Sequence, residues 1–367
     1  MTPGRIHRGP LAQLVEQRTF NPWVVGSSPT GPTLSFSALE RVLWAGCLLT
    51  GKIGAGKLHP TRWESMSPEQ SSYVIWRTHG AGFWSIVAST LAHCDIATQE
   101  GLVPVVDMEN HASVYQEDAP VRGTRNVWEY YFQQPAGRSL ANLGSSPVRN
   151  DGTIPSGYPR ELGDDAYRAL WQKYVKLQPH IEEGIQNTIK ELAVSQTTLG
   201  VHFRGQEMRT AIGHKFPPTL GQMNSAIAHV LETSDFDKIL LVTEAEQYVS
   251  ALRRKWGSRL LVSPTYRLWR RNSYTLKNPP RPEHRYNLGR EALQDAHLLA
   301  ACGGYIRGHS GLSEAALLIT ERGFTPHIKF SQGRNSFRPY LAPFLWYAKV
   351  LLPGAMGGFK KWKPLGS

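Results

Sequence analysis

The chain has 367 residues, 41% of them hydrophobic and 19% charged, which fits a globular protein long enough for two domains and excludes a disordered chain. Three cysteines (Cys47, Cys94, Cys302), widely spaced and odd in number, exclude a disulfide framework and a CxxC zinc site and fit a reducing cytosol. A formal charge of +12 favours anionic partners, among them nucleotide-sugars, lipid head groups and nucleic acid, without choosing between them.

Residues 1–65 read differently from the rest. Gly9 to Thr33 shows no helical or strand period and resembles the conceptual translation of a transfer-RNA gene. Gly26-Ser27-Ser28-Pro29 is encodable by a sequence containing the T-loop TTCGA, and Gly9-Pro10 and Gly31-Pro32 by self-complementary hexamers. The expectation is a non-native or disordered leader, with the natural start at Met66. Residues 1–65 carry +4 of the total charge, leaving +8. Gly51 to Lys57 matches the opening of a phosphate-binding loop, but Leu58 replaces the Mg²⁺-binding hydroxyl residue and Pro60 interrupts the helix that should follow. Leu43 to Thr50 is apolar but too short to span a bilayer.

From there the chain alternates. A strand is expected at Tyr73–Trp76, a turn with Gly80 and Gly82, a helix at Phe83–Thr98, and a strand at Leu102–Val106 ending in Asp107. This βαβ unit implies a parallel sheet, and Pro104 implies an edge strand. Residues 109–158 are irregular, and their aromatic patch, Asn126 to Phe132, suits either a packing knot or a sugar-stacking platform. Helices follow at Asp165–Leu177 and Pro179–Ala193, with Pro179 suited to a first turn. A second alternation begins at Thr198. Strands are expected at Leu199–Phe203, Lys238–Val242, Arg259–Val262 and Tyr305–Arg307; helices at Leu220–Glu232, Glu246–Lys255, Glu291–Ala301 and Leu312–Ile319. That pattern is a doubly wound α/β sheet. A helix over Leu341–Pro353 and a basic tail, Lys360-Lys361-Trp362-Lys363, close the chain. The domains expected are 66–197 on the acceptor side, 198–340 for nucleotide-sugar binding, and 341–367.

Two segments carry chemistry. The first strand of the second alternation ends in His202-Phe203-Arg204-Gly205. His202 and Arg204 share a face, Arg offers a planar fork for phosphate, and Gly205 permits close backbone approach. A structural ion pair at a sheet edge is the other reading. Further on, a helix carrying Asp295 feeds a strand, and the strand feeds Ser310-Gly311-Leu312-Ser313 at a helix start. Helix N-termini bind phosphate, and Ser310 also suits ordinary N-capping. Asp235-Phe236-Asp237 is a DxD pair of the kind that holds a divalent ion, but it precedes a strand, at the sheet end opposite the ligand edge.

These segments resemble the superfamily of α-1,6-fucosyltransferases, nodulation fucosyltransferases and protein O-fucosyltransferases. Gly200 to Glu207 is similar to its His-x-Arg-(Arg/Gly)-x-Asp strand end, with Gly205 in place of a second Arg and Glu207 in place of Asp. Leu240 to Glu244 is similar to a strand ending in Thr-Asp, so Thr243 and Glu244 match donor-site positions; Asp295 and Ser310 to Ser313 match the later motif. The resemblance runs from Tyr73 to Ile319 and is closer in the second half.

The resemblance implies a GT-B-like architecture of two Rossmann-like, parallel-sheet domains facing a cleft. It implies an inverting glycosyltransferase that takes a GDP-sugar as co-substrate, with fucose preferred, and needs neither metal nor cofactor. Arg204 would hold the β-phosphate and His202 would lie beside the nucleotide. Asp295 would accept hydrogen bonds from guanine, and Ser310, Gly311 and Ser313 would line the phosphates. The base is left open between Glu207, near the donor by position, and Asp107 and Glu109, which end a strand in the facing domain. Gly80, Gly82, Asp107 and Glu109 lie on the acceptor side, where a glycan, glycolipid or protein would bind. A non-catalytic nucleotide or carbohydrate binder on the same fold is the alternative. The basic, aromatic run Thr265 to Arg290 also suits single-stranded nucleic acid, but no nucleic-acid module accompanies it. The expected location is cytoplasmic, with at most peripheral contact between the basic tail and an anionic membrane face.

Overall fold

The computed structural model describes residues 71–78, 80, 82–156, 158, 163–205, 207–267 and 280–363. The expected leader 1–65, the start at Met66, the Gly51–Lys57 segment and residues 268–279 of the basic run lie outside the described residues.

The first sheet is built from β1 (Ser72–Ile75), β2 (Val103–Val106) and β3 (Val148–Arg149), parallel and in the order β2-β1-β3. The strand containing Pro104 is therefore an edge strand, as expected. β1 and β2 are buried throughout and unbroken by polar alternation, the mark of a sheet covered on both faces. Helix α1 (Phe83–Gln99) connects them and is itself buried on most sides. Next come α2 (Asp164–Tyr174) and α3 (Pro179–Glu191), the latter with proline in its first turn.

The second sheet contains β4 (Thr198–His202), β5 (Lys238–Val242), β6 (Leu260–Val262), β7 (Gly304–Arg307) and β8 (His327–Lys329). All pairs are parallel, in the order β6-β5-β4-β7-β8. The intervening helices are α4 (Glu207–Thr210), α5 (Leu220–Thr233), α6 (Glu246–Trp256), α7 (His284–Ala300) and α8 (Gly311–Ile319), and α9 (Ala342–Leu351) follows the sheet. A reciprocal capping box starts α5: Gln222 N–H donates to Thr219 Oγ1 at 3.2 Å, and Thr219 N–H to Gln222 Oε1 at 2.8 Å.

The long elements fall where the periodicity of the sequence puts them, give or take a few residues at their ends. β3, β8 and α4 are additional; α7 begins at His284, seven residues before the expected Glu291. The aromatic patch is core: Trp128, Tyr130, Tyr131 and Phe132 are each at most 2% exposed, so it offers no stacking platform. That core also takes in Leu293 and Ala296 from α7 and Ala315 from α8, which ties the two halves together. Asp235 to Asp237 lies between α5 and β5, at the N-terminal edge of the sheet, with Asp237 N–H bonded to Thr197 O.

Candidate functional site

In an order of β6-β5-β4-β7-β8, strand β4 is first in sequence and its neighbours leave in opposite directions. The C-terminal edge beside β4 and β7 is thus the topological switch point, where open α/β sheets bind ligands. There His202 is in register with Val242 of β5 and Arg307 of β7.

His202 is 2% exposed, and its Nδ1 lies 2.5 Å from Ser313 Oγ and 3.4 Å from Ser310 Oγ. Ser310 caps α8: its Oγ accepts from Ser313 N–H at 3.0 Å and lies 3.0 Å from Ser313 Oγ. Ser310 thus caps the helix, while the expected phosphate-lining hydroxyl of Ser313 is fully buried and turned to His202. Burial pushes the His202 imidazole down to about 4, so it is a neutral hydrogen-bonding group and adds no positive charge. Gly311 serves packing: a Cβ there would lie 3.0 Å from Trp84 Cβ on α1.

Arg204 projects further out, its side chain about one-third exposed. Its Nε lies 3.4 Å from Glu244 Oε1, just past β5, and 3.5 Å from Glu207 Oε1 at the start of α4. Gly205 N–H donates to the same Glu244 oxygen at 3.0 Å. A Cβ on Gly205 would sit 2.8 Å from Glu244 Oε1 and 2.9 Å from Glu207 Oε2, so the glycine makes room for two carboxylates. Burial and the neighbouring Glu244 push the Glu207 carboxyl up to about 8. Arg204 and the hydrogen bond from Glu207 hold Glu244 well below the usual range, against its burial. One arginine thus faces two carboxyl groups, of which Glu207 holds its proton more tightly and Glu244 less tightly than usual.

Thr243 is buried; its Oγ1 accepts from Ala245 N–H at 3.2 Å and its carbonyl from Arg267 Nε at 2.9 Å. Arg267 also donates to Ser263 O and to Thr265 Oγ1, pinning the segment after β6. Asp295 on α7, 7% exposed, accepts from the Ser263 hydroxyl. Its burial pushes its carboxyl up to about 7, with Ser263 and Arg267 opposing the rise. One turn earlier, Glu291 is held by both Nη groups of Arg281 at 2.6 and 2.9 Å. The expected donor residues therefore gather along one sheet edge. Sequence reasoning missed Ser263, Arg267 and Arg307; the last is buried, donates to Glu314 Oε1 at 2.8 Å and to His327 Nε2 at 2.9 Å.

The acceptor-side residues lie at the same edge of the first sheet. Gly80 takes a positive φ of 77°, and Gly82 precedes α1. Asp107 is 1% exposed and fully engaged, 3.6 Å from Arg149 Nη1 and accepting from Asn110 N–H at 3.0 Å and Asn110 Nδ2 at 3.1 Å. Glu109 is exposed. The aromatic surface at this edge is instead Trp76, stacked on His111 with centroids 4.2 Å apart and fixed by Asn150, which accepts its N–H at 2.8 Å. Among the described residues, no group of three or more His, Cys, Asp or Glu is placed to hold a metal ion.

The fold and edge together define a GT-B-like α/β protein with an arginine-centred site at the switch point of its larger sheet. The fucosyltransferase NodZ from Bradyrhizobium has the same fold, with a TM-score of 0.50 at 17% identity over 72% of this chain and 98% of that one. NodZ α-1,6-fucosyltransferase co-crystallised with GDP matches with a TM-score of 0.49 at 17% identity, over 68% of this chain and 93% of that one. POFUT1 in complex with GDP matches at 0.43 and 10% identity, over 72% and 99%. No family model and no curated protein sequence matches the chain.

Proposed function

We propose that the protein is an inverting glycosyltransferase that moves a sugar, fucose by preference, from a GDP-sugar to a glycan, glycolipid or protein acceptor. The observation that carries this reading is Arg204, a partly exposed cation at the switch point of a fold shared with a fucosyltransferase. GDP and fucose come from the motif resemblance around His202, Arg204, Asp295 and Ser310.

In this reading the acceptor oxygen bonds to the anomeric carbon as the bond from that carbon to the β-phosphate oxygen breaks. The electron pair moves onto that oxygen, and Arg204 stabilises the charge that builds there. Metal independence follows the same logic, since Arg204 supplies the positive charge. Glu207 takes the acceptor proton only in its ionised form, so the proton it holds below about pH 8 must first pass to solvent. Asp295 accepts from guanine, and Trp76 offers a face for the acceptor. The acceptor-side and donor-side domains are assigned to 66–197 and 198–340. A second reading, nucleotide binding without transfer, draws on the occupation of Arg204 by two carboxylates.

The test is a thermal-shift comparison of GDP, UDP and ADP on the full chain, followed by transfer assays with GDP-fucose. A ligand at a hundred times its Kd stabilises by about 2.7 kcal/mol. GDP is expected to stand out; equal shifts from all three nucleotides, or none, would sink the reading. GDP binding with neither hydrolysis nor transfer would favour the second one.

A further inference from the structure

Helix α9 is held from one side only. Ala342 and Trp346 are buried; Trp346 Nε1 donates to Pro217 O at 3.1 Å, the Arg209 guanidinium lies 4.3 Å above its ring, and Asn335 Nδ2 donates to Ala342 O at 3.0 Å. The opposite face carries Phe344, Tyr347, Ala348 and Leu351, the i, i+3, i+4, i+7 spacing of one helix side, and all four are exposed. Phe344 is 71% and Leu351 84% exposed, and Phe337, Tyr340 and Met356 add 55%, 65% and 69%. A helix normally turns such a stripe toward the core. A large exposed apolar patch marks an interaction surface.

The charge of the same segment identifies the occupant. From Arg322 to the C-terminus the chain has no Asp or Glu, and Arg334, Arg338 and Lys349 stand in or just before α9. Arg334 lies over the Phe337 ring at 5.6 Å, and exposed Arg338 stands between Phe337 and Tyr340. Two copies of this face brought together about a two-fold axis would set like charge against like. An anionic bilayer matches both the apolar stripe and the charge. We infer that the outer face of α9 docks on a lipid surface carrying anionic headgroups.

The geometry sets how it docks. Ten residues of helix span about 15 Å, half of a hydrocarbon core of about 30 Å, so α9 lies in the interface plane. Among the described residues no helix is long and apolar enough to cross a membrane. The surface also differs from the one expected from Lys360 to Lys363: Trp362 is half-buried against the second core, its ring 5.4 Å from His229, so that part of the tail packs on the body.

Co-sedimentation of the full chain with phosphatidylcholine vesicles, with and without phosphatidylglycerol, tests this. Binding to the anionic vesicles is expected to weaken with salt and to lose about fivefold for each charge removed in R334Q and R338Q. F344S/L351S is expected to lose at least about tenfold, with an unchanged melting temperature because both side chains face water. The inference is overturned if wild-type protein ignores anionic vesicles or F344S/L351S binds them as wild type does. It is also overturned if sedimentation velocity shows a dimer that F344S/L351S dissociates without any vesicle binding. Vesicle binding and GDP binding are separate readouts, so either can fail without the other.

Discussion

The two sheets end alike and differ in what they do with charge. At the edge of the three-stranded sheet, Asp107 is 1% exposed and receives Asn110 twice beside Arg149, so its acceptor capacity goes to holding a loop. At the edge of the five-stranded sheet, Arg204 meets Glu207 and Glu244 at 3.5 and 3.4 Å, with all three about one-third exposed. The first arrangement is electrostatically complete. In the second, two carboxyl groups compete for one arginine. Unsettled charge with perturbed proton affinity is the better marker of a ligand site than a buried carboxylate at the correct topological position.

Arg204→Ala breaks the comparison most directly. Donor turnover is expected to fall by about a hundredfold or more, with little change in melting temperature, since partly exposed ion pairs contribute little stability. Asp107→Ala should do the reverse: unchanged GDP affinity in calorimetry and a stability loss of about 1–3 kcal/mol in urea titration, because Asn110 and Arg149 lose their acceptor. If the Asp107 variant loses GDP as the Arg204 variant does, the two edges form one site and the contrast is wrong.

How much of this the chain announces depends on the length of each signal. Leu199–Val201 and Ile239–Val242 are apolar runs, and both strands stand where those runs put them. Val148-Arg149 is two residues long and has no period to read. Helix α7 starts early because its first turns are polar, and partners distant in sequence support them: Arg285 finds Asp118 at 2.7 Å and Tyr286 N–H finds Glu117 at 2.8 Å. In the site, His202, Arg204, Asp295 and Ser310 were visible as residue types at strand ends and helix starts. Their partners were not, because Ser263 and Asp295, or Arg204 and Glu244, meet only through the sheet. Likewise the aromatic surface is Trp76 with His111, brought together by a loop, rather than the contiguous run at 126–132.

Asp295→Asn sharpens the donor edge with the next largest effect. A hydrogen bond to a charged group contributes about 1.5–3 kcal/mol, so the preference for GDP over UDP and ADP should drop by about ten- to a hundredfold. GDP titrations of the variant check this, and an unchanged preference would remove Asp295 from base recognition. Gly205→Ala should act more mildly. Its methyl displaces two carboxylate ends, which are flexible, so GDP affinity should change several-fold while the fold persists.

The smallest effect tests the Glu207 proton itself. Burial and Glu244 raise the Glu207 carboxyl to about 8, so the native state binds that proton more tightly than the unfolded chain does. Its contribution to stability is complete below the unfolded value and is lost as pH rises through the folded one. If Arg204 holds the diphosphate as proposed, the same proton removes one negative charge from beside it. Above about pH 7 the diphosphate has already lost its own last proton, so a further fall in GDP affinity there reports the protein. Asp295 titrates near pH 7 in both proteins, so the ratio of wild-type to Glu207→Gln affinity for GDP isolates Glu207 and should fall progressively from about pH 7 to 9. Calorimetric titrations across that range decide it. A constant ratio would mean that Glu207 does not titrate in this range and that Arg204 alone sets the electrostatics of the edge.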